Sequence, residues 1–463
     1  MAVRLVNIDR KTPLLLPPDL RDWVPDDHIV HFILEAVDGL DLQGFRVNER
    51  GTGDEQYPPA MLLGLLVYCY ATGRFSSRGI EQATYSDVAV RYLCGNTHPD
   101  HDTICTFRRV NGALFKECFV KVLGLASELG HLRRVGGISV DGTKIQANAS
   151  KHAAVSYERA GAMIGQLELE VGELMHKAED ADSTPLDDGL SIPAEIARRE
   201  VRQAKLAQAR QLIEERYAEL KARKQAEYER KLAARKAERR SGRKPRGPDP
   251  QPPPPAPPGK SQHNFTDPES RIMKAGNGDH FEQAYNAQAA VDVEGSLLIM
   301  GNRVSPEAND KQELPATVNS VPGAAREVNE VLADSGFFSE KAVREVEAGH
   351  GPSVLAAVGK TPHRCRLADL ERRPEPHPPP EPATITAKMR HRLQTRYGKE
   401  RYKLRKQTVE PVFGIIKEVL GFRRFRLRGL EKVSLEWQLV CLAWNFKRLF
   451  KLATARPLTA AAH

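Results

Sequence analysis

Val135-Gly136-Gly137-Ile138-Ser139-Val140-Asp141 is a short alternating run that ends on an acid. It marks the point where the chain changes from helical to strand-like sequence. Further strand-like runs follow. Phe281 to Val291 and Leu297 to Val304 are joined by the turn Asp292-Val293-Glu294-Gly295, which predicts a β-hairpin. Residues 311 to 321 fit a helix capped by Asp310. Val328 to Ala333 is an apolar strand ending on Asp334, Ser339 to Glu347 is helical, and Ser353 to Val358 is one more strand. Two helices, about 408 to 420 and 432 to 452, close the series. The order is strand, helical insert, strand, strand, helix, strand, helix, strand, helix, so an α/β fold is expected.

Upstream, residues 1 to about 130 read as helical. Pro58-Pro59-Ala60-Met61-Leu62-Leu63 opens a buried apolar helix, with proline where a first turn tolerates it. Asp102 to Arg109 reads as a capped helix carrying Arg108 and Arg109, either a DNA-recognition helix or a surface helix with solvated arginines. His98-Pro99-Asp100-His101-Asp102 lacks zinc spacing and reads as a loop leading into that cap.

The insert reads as two helical arms. Ile164, Leu167, Val171 and Leu174 form a coiled-coil seam on the first, and Leu206, Ile213 and Leu220 repeat every seven residues on the second. The polar stretch from 180 to 192 between them predicts an antiparallel hairpin. Pro252 to Pro258 is a polyproline linker, extended and unable to join a core, and residues 374 to 382 are a second proline-rich stretch. The expected domains are 1–130, helical and DNA-binding; 131–150 with 260–455, the α/β core; 151–246, the coiled-coil insert; and 247–259, the linker.

At 463 residues and 40% hydrophobic, the chain is long enough for about three domains with real cores. The longest apolar run, Ala60 to Ala71, is shorter than the ~18 residues that span a bilayer. The N-terminal residues lack a signal-peptide pattern, so a cytoplasmic, nucleoid-associated protein is expected. Six cysteines without a CxxC pair read as buried thiols rather than a disulfide framework. The net charge of +9 is too mild to name a partner, but its distribution is uneven. Residues 195 to 246 hold 18 Lys and Arg against 8 Asp and Glu, and residues 388 to 451 hold 18 against 5. Two strongly basic segments therefore sit on an acidic remainder, which points to DNA.

A third acid is Glu410, in Gln407-Thr408-Val409-Glu410-Pro411-Val412-Phe413-Gly414-Ile415-Ile416-Lys417. Pro411 fits a first helical turn, which puts Glu410 at the helix entrance with Lys417 on the same face and Gly421 as the stop. Three carboxylates gathered by a fold offer oxygen ligands to Mg²⁺, and two such ions can clamp the oxygens of a phosphoryl displacement. Taken singly, a strand-end Asp reads first as a turn or cap residue, and a first-turn Glu as a partner of the helix dipole. Asp292 reads as a turn residue, and Asp267 as structural or DNA-positioning. Trp437 and Trp444 read as core, not as base-stacking platforms.

Val140-Asp141-Gly142-Thr143-Lys144, Ala147-Asn148-Ala149-Ser150, Thr266-Asp267-Pro268-Glu269-Ser270-Arg271, Tyr285-Asn286-Ala287-Gln288, Ala333-Asp334-Ser335-Gly336-Phe337 and Val409 to Lys417 together resemble, in that order, the motifs of bacterial insertion-sequence DDE transposases. Residues 15 to 110 resemble the helical N-terminal domain that accompanies them. The resemblance implies an RNase H-like core, a mixed sheet flanked by helices, with Asp141, Asp334 and Glu410 as catalytic, metal-binding acids. It implies two Mg²⁺ ions, with Mn²⁺ as a substitute. It also implies binding to terminal inverted repeats and target DNA, metal-dependent cleavage and strand transfer, and a homo-oligomer on DNA with no membrane partner. Lys417 keeps the family's spacing from Glu410 and is carried over as a phosphate contact. Lys406 holds the arginine register, while Arg405 and Tyr402 are each displaced by one. Arg405, Arg423, Arg424, Arg426, Arg108 and Arg109 complete the candidate DNA contacts. A metal-dependent nuclease without joining activity and a non-catalytic DNA-binding regulator are the alternatives.

Overall fold

The computed structural model describes residues 19–42, 44, 56–183, 191–241, 247–274, 280–359 and 375–455. By contacts the chain forms two compact units, residues 1–145 with 286–463, and residues 146–285. The helices are α1 (Ile29–Asp38), α2 (Pro59–Ala71), α3 (Ser77–Ser86), α4 (Val88–Leu93), α5 (His101–Val110), α6 (Gly112–Glu128), α7 (Tyr157–Ser183), α8 (Ile192–Arg240), α9 (Glu313–Val318), α10 (Glu340–Val346), α11 (Ile385–Gln394), α12 (Arg396–Gly414) and α13 (Leu430–Thr454). The strands are β1 (Val135–Gln146), β2 (Ala154–Ser156), β3 (Gln262–Asn264), β4 (Arg271–Lys274), β5 (Phe281–Asp292), β6 (Ile299–Ser305), β7 (Glu327–Ala333) and β8 (Ser353–Ala356).

In the first unit the sheet order is β6–β5–β1–β7–β8. β5 and β6 are antiparallel, whereas β1, β7 and β8 run parallel. Parallel neighbours need crossover connections: α10 links β7 to β8, and the path from β1 to β7 runs through the insert, β5, β6 and α9. The centre of β1 and the end of β7 are buried on both faces, as a helix-covered sheet requires. The result is a mixed sheet flanked by helices, compatible with the expected RNase H-like core. α13 is buried along most of its length and packs against α2, α6 and β6. Trp437 and Trp444 are core residues, donating their indole N–H groups to Gln288 O at 3.0 Å and Leu297 O at 2.9 Å.

Several expectations need correction. Glu410 is not at a helix entrance: α12 begins at Arg396 on a Thr395 cap, and both Glu410 and Pro411 lie inside it. Past Gly414 the helix widens into a π-turn over Ile415–Val419, and Gly421, at φ 79°, ends it. Asp310 is not the cap of its helix. Asn309 caps a short 3₁₀ turn, Asp310–Gln312, by accepting from Lys311 N. α9 itself begins at Glu313 without a side-chain cap, which leaves the Asp310 side chain for other partners. Asp292 is more than a turn residue, since it is buried in an ion pair with the equally buried Arg326.

The second unit contains α7 and α8, packed as antiparallel neighbours. Arg199 pairs with Glu170, and Tyr157 donates to Glu214 at 2.6 Å, so the far end of one helix meets the near end of the other. Leu167, Leu206 and Ala209 are buried between them with Ala160 and Val155. Ile213 is buried too, but Leu220 is exposed. Residues 184–190 of the expected interhelical turn lie outside the described residues. The proline-rich stretch lies along α8, where Pro254 O accepts from the Tyr217 hydroxyl at 2.7 Å. β2 pairs with β3, and Ala147 N donates to Gln283 O at 2.8 Å, joining the two ends of this unit. Asp267 is buried and accepts from the Tyr285 hydroxyl at 2.7 Å, in keeping with its structural reading.

Candidate active site

β1 and β7 are in register at Val140 and Ala333, so Asp141 and Asp334 follow side by side where β7 ends. β1 itself does not stop at Asp141 as expected but runs on to Gln146. The carboxyl ends of parallel strands are where such sheets bind ligands. Asp334 is held by its own turn, accepting from Gly336 N at 2.8 Å. Asp141 accepts from Gly142 N at 2.8 Å. Burial pushes the Asp141 carboxyl up to about 7, and the neighbouring Asp334 adds to the rise. Two carboxylates at close quarters resist ionising together.

α12 carries the third acid over the sheet. Its Tyr402 and Leu404 pack against Leu332 and Leu355. Glu330 of β7 accepts from the Tyr397 hydroxyl at 2.8 Å and from Arg401 Nε at 2.6 Å. One turn further, Arg405 donates to Glu410 Oε1 at 2.8 Å and stands 3.6 Å from Asp141 Oδ2. Its side chain is only 11% exposed, so the guanidinium lies between the two acids rather than out in solvent. Arg405, not Lys406, therefore reaches the site; Lys406 is exposed. Lys417, on the π-turn, donates to Thr143 Oγ1 at 3.2 Å and to Lys144 O at 3.4 Å, which sets it beside β1. Among the described residues, no three His, Cys, Asp or Glu side chains converge closely enough to hold one metal ion.

Beyond the π-turn, Gly421 to Arg428 forms a loop fastened from below. Phe422 and Phe425 are fully buried, while Arg423, Arg424, Arg426 and Arg428 are exposed. Arg423 pairs with Glu418. The buried Glu436 carboxylate accepts from Arg426 N at 2.9 Å and Leu427 N at 3.0 Å. Sequence reading found the arginines but missed this anchor, because an acid on an apolar helix carries no signal of what lies beside it.

Arg108 is a correction. It is buried, and its guanidinium donates to the Tyr70 hydroxyl at 2.8 Å and Phe75 O at 3.0 Å, so it faces the core and presents no charge to a ligand. Arg109 is exposed at the end of α5, which is capped by Asp100. In the second unit, a cleft of about 560 Å³ combines Leu220 and Phe281 with Arg216, Lys224, Lys260 and Arg271. No helix among the described residues is long and apolar enough to cross a membrane.

Two family models match the chain. Residues 18–110 match a transposase domain, DUF772, and residues 373–450 match a transposase DDE domain. The second stretch includes Arg405, Glu410, Lys417 and the arginine loop. No match was found among curated proteins or among solved structures.

Proposed function

We propose, from these two transposase segments and the acids at the sheet's carboxyl edge, that the protein is a metal-dependent DNA transposase. It would bind the terminal inverted repeats of an insertion sequence, cleave the DNA strand and join the freed 3′ end to target DNA. The observation that carries the reading is the pairing of Asp141 and Asp334 on adjacent parallel strands, with Asp141 held up near 7 by burial and by its neighbour. Such an arrangement favours a bound cation once Asp141 ionises, and carboxylate oxygens are the donors that Mg²⁺ takes. Asp141 and Asp334 would hold that ion, with Glu410 joining once it leaves Arg405. A bound divalent cation would supply Lewis-acid polarisation of the phosphodiester and activation of the attacking water or hydroxyl.

The chain's own residues then have separable tasks. Lys417, beside Thr143, would contact the phosphate next to the cleaved bond. Arg405 would neutralise Asp141 and Glu410 in the resting site and turn to the DNA backbone when the cation displaces it. Arg423, Arg424, Arg426 and Arg109 would hold the backbone away from the reacting phosphate, and the cation-rimmed cleft of the insert would grip flanking DNA. A homo-oligomer assembled on DNA would bring two ends together.

The test is Asp334→Ala in the full chain. Cleavage of terminal DNA should be lost while inverted-repeat binding persists. Wild-type cutting by that variant would overturn the site, and cutting without joining of pre-cut ends would make the protein a nuclease.

A further inference from the structure

Asp310 reads from sequence as a helix cap, yet its carboxylate does something else. Its Oδ1 accepts from Asn286 Nδ2 at 2.6 Å and from Gln288 Nε2 at 2.9 Å. Asn286 and Gln288 are two apart on β5, so both point to one face of the sheet. That face meets β1 immediately after Asp141. A Cβ on Gly142 would stand 2.5 Å from Gln288 Nε2, 2.8 Å from Asn286 Oδ1 and 2.9 Å from Asp310 Oδ1. Only glycine at 142 lets this amide pair and its carboxylate close up against the catalytic strand.

Two features make the cluster costly as mere packing. The first is charge. Asn286 and Gln288 are neutral, and Asp310 pairs with Lys144 at 3.7 Å, an ammonium whose own charge is disfavoured by burial, so the negative charge of Asp310 still acts on Asp141. The nearby Glu313 has a closer partner, since Arg303 pairs with it at 3.0 Å. The second is the amide oxygens. Asn286 and Gln288 are fully buried, and their Oδ1 and Oε1 atoms have no hydrogen-bond partner among the described residues. Buried acceptors without partners are unfavourable unless something else supplies the donors.

A hydrated divalent cation supplies both needs. Mg²⁺ and Mn²⁺ keep several waters when bound, and those waters donate hydrogen bonds outward. We propose that Asp310, held by Asn286 and Gln288, is a positioning carboxylate that retains the hydration shell of a divalent cation bound at Asp141 and Asp334. This rests on the proposed metal site and adds to it three residues that do not touch the ion directly.

The experiment is Mn²⁺ binding to the full-length, metal-free protein, by calorimetry and by thermal shift, for wild type, Asp310→Asn and Asp141→Asn. Asparagine at 310 keeps an oxygen for both amide donors and removes only the charge. The expected result is Mn²⁺ affinity about tenfold weaker in Asp310→Asn, with a metal-free melting temperature no lower than wild type. Affinity within twofold of wild type, while Asp141→Asn has lost binding, would overturn this role and leave the metal site standing. A metal-free melting temperature well below wild type would make Asp310 a packing residue and overturn it as well. Absence of Mn²⁺ binding in the wild type would remove the metal site itself, and this inference with it.

Discussion

Arg405 donates to Glu410 from five residues earlier on the same helix, and the same guanidinium reaches toward Asp141 on the sheet. It is the one cation described between these two acids, so it stands where a metal-bound site would carry positive charge of another kind. Arg405→Ala should lower the metal-free melting temperature. A hydrogen bond between charged groups is worth about 2 kcal/mol, a shift of a few degrees in a chain of this size. Saturating Mg²⁺ should recover most of the loss. Calorimetric melts with and without Mg²⁺ check this, and a deficit that Mg²⁺ leaves unchanged would refute the substitution of one cation for the other.

Asp141 makes a pH prediction with a definite sign. Its carboxyl is raised from the ordinary 3.8 to about 7, first by burial and then by Asp334. Between those values the folded protein keeps a proton that the unfolded chain releases, so stability from this group falls as pH rises from about 4 to 7. Above 7 the folded state carries the full cost of ionised Asp141. Asp141→Asn keeps an acceptor for Gly142 N and removes that cost. The variant should melt above wild type at pH 8 in the absence of metal, with the gap closing toward pH 4. Equal melting at pH 8 would contradict the raised value.

Arg108 and Arg109 are neighbours with opposite fates. Arg108→Met should cost about 3 kcal/mol or more, because it strips a buried charge from its partners. Those partners are the Tyr70 hydroxyl and Phe75 O, and the buried Glu436 lies within electrostatic reach. Arg109→Ala should leave stability within about 0.5 kcal/mol of wild type, as exposed substitutions do. Urea denaturation of both variants separates the two roles.

The arginine loop separates binding from folding in the same way. Arg424 is exposed, and Arg424→Gln should weaken DNA binding across sequences and reduce the salt slope by about 1. Phe425 is fully buried, and Phe425→Ala should cost about 3 to 5 kcal/mol. Binding isotherms at several salt concentrations, with melts alongside, read both.

The strands around the site were legible because alternation and β-branched runs report burial directly; β7 ended next to Asp334 as expected, but β1 ran on past Asp141 to Gln146. α12 was misjudged at its start. Pro411 has the signature of a first turn, but here the helix carries the proline internally and adjusts one turn later at Ile415–Val419. Asp310 was misjudged because a 3₁₀ turn capped by Asn309 precedes α9, and local sequence cannot say which side chain a sheet will need. Arg108 was hidden for a related reason: only Tyr70 and Phe75, distant in sequence, make a buried arginine tolerable. For Asp310 and Arg108 the missing information was a partner from another element.

The second unit leaves the chain at Gln146 and returns at Tyr285, with its two ends already bonded through Ala147 and Gln283. This has a kinetic meaning. β1 and β5 are neighbours in the sheet, yet far apart along the chain, and pairing them carries a large loop-closure entropy. Once residues 146–285 have folded, that entropy is already spent, and the two strands meet as though joined by a tight turn. An insert that folds on its own would therefore act as a clasp, delivering Asp141 and the Asn286–Gln288 pair to each other in register.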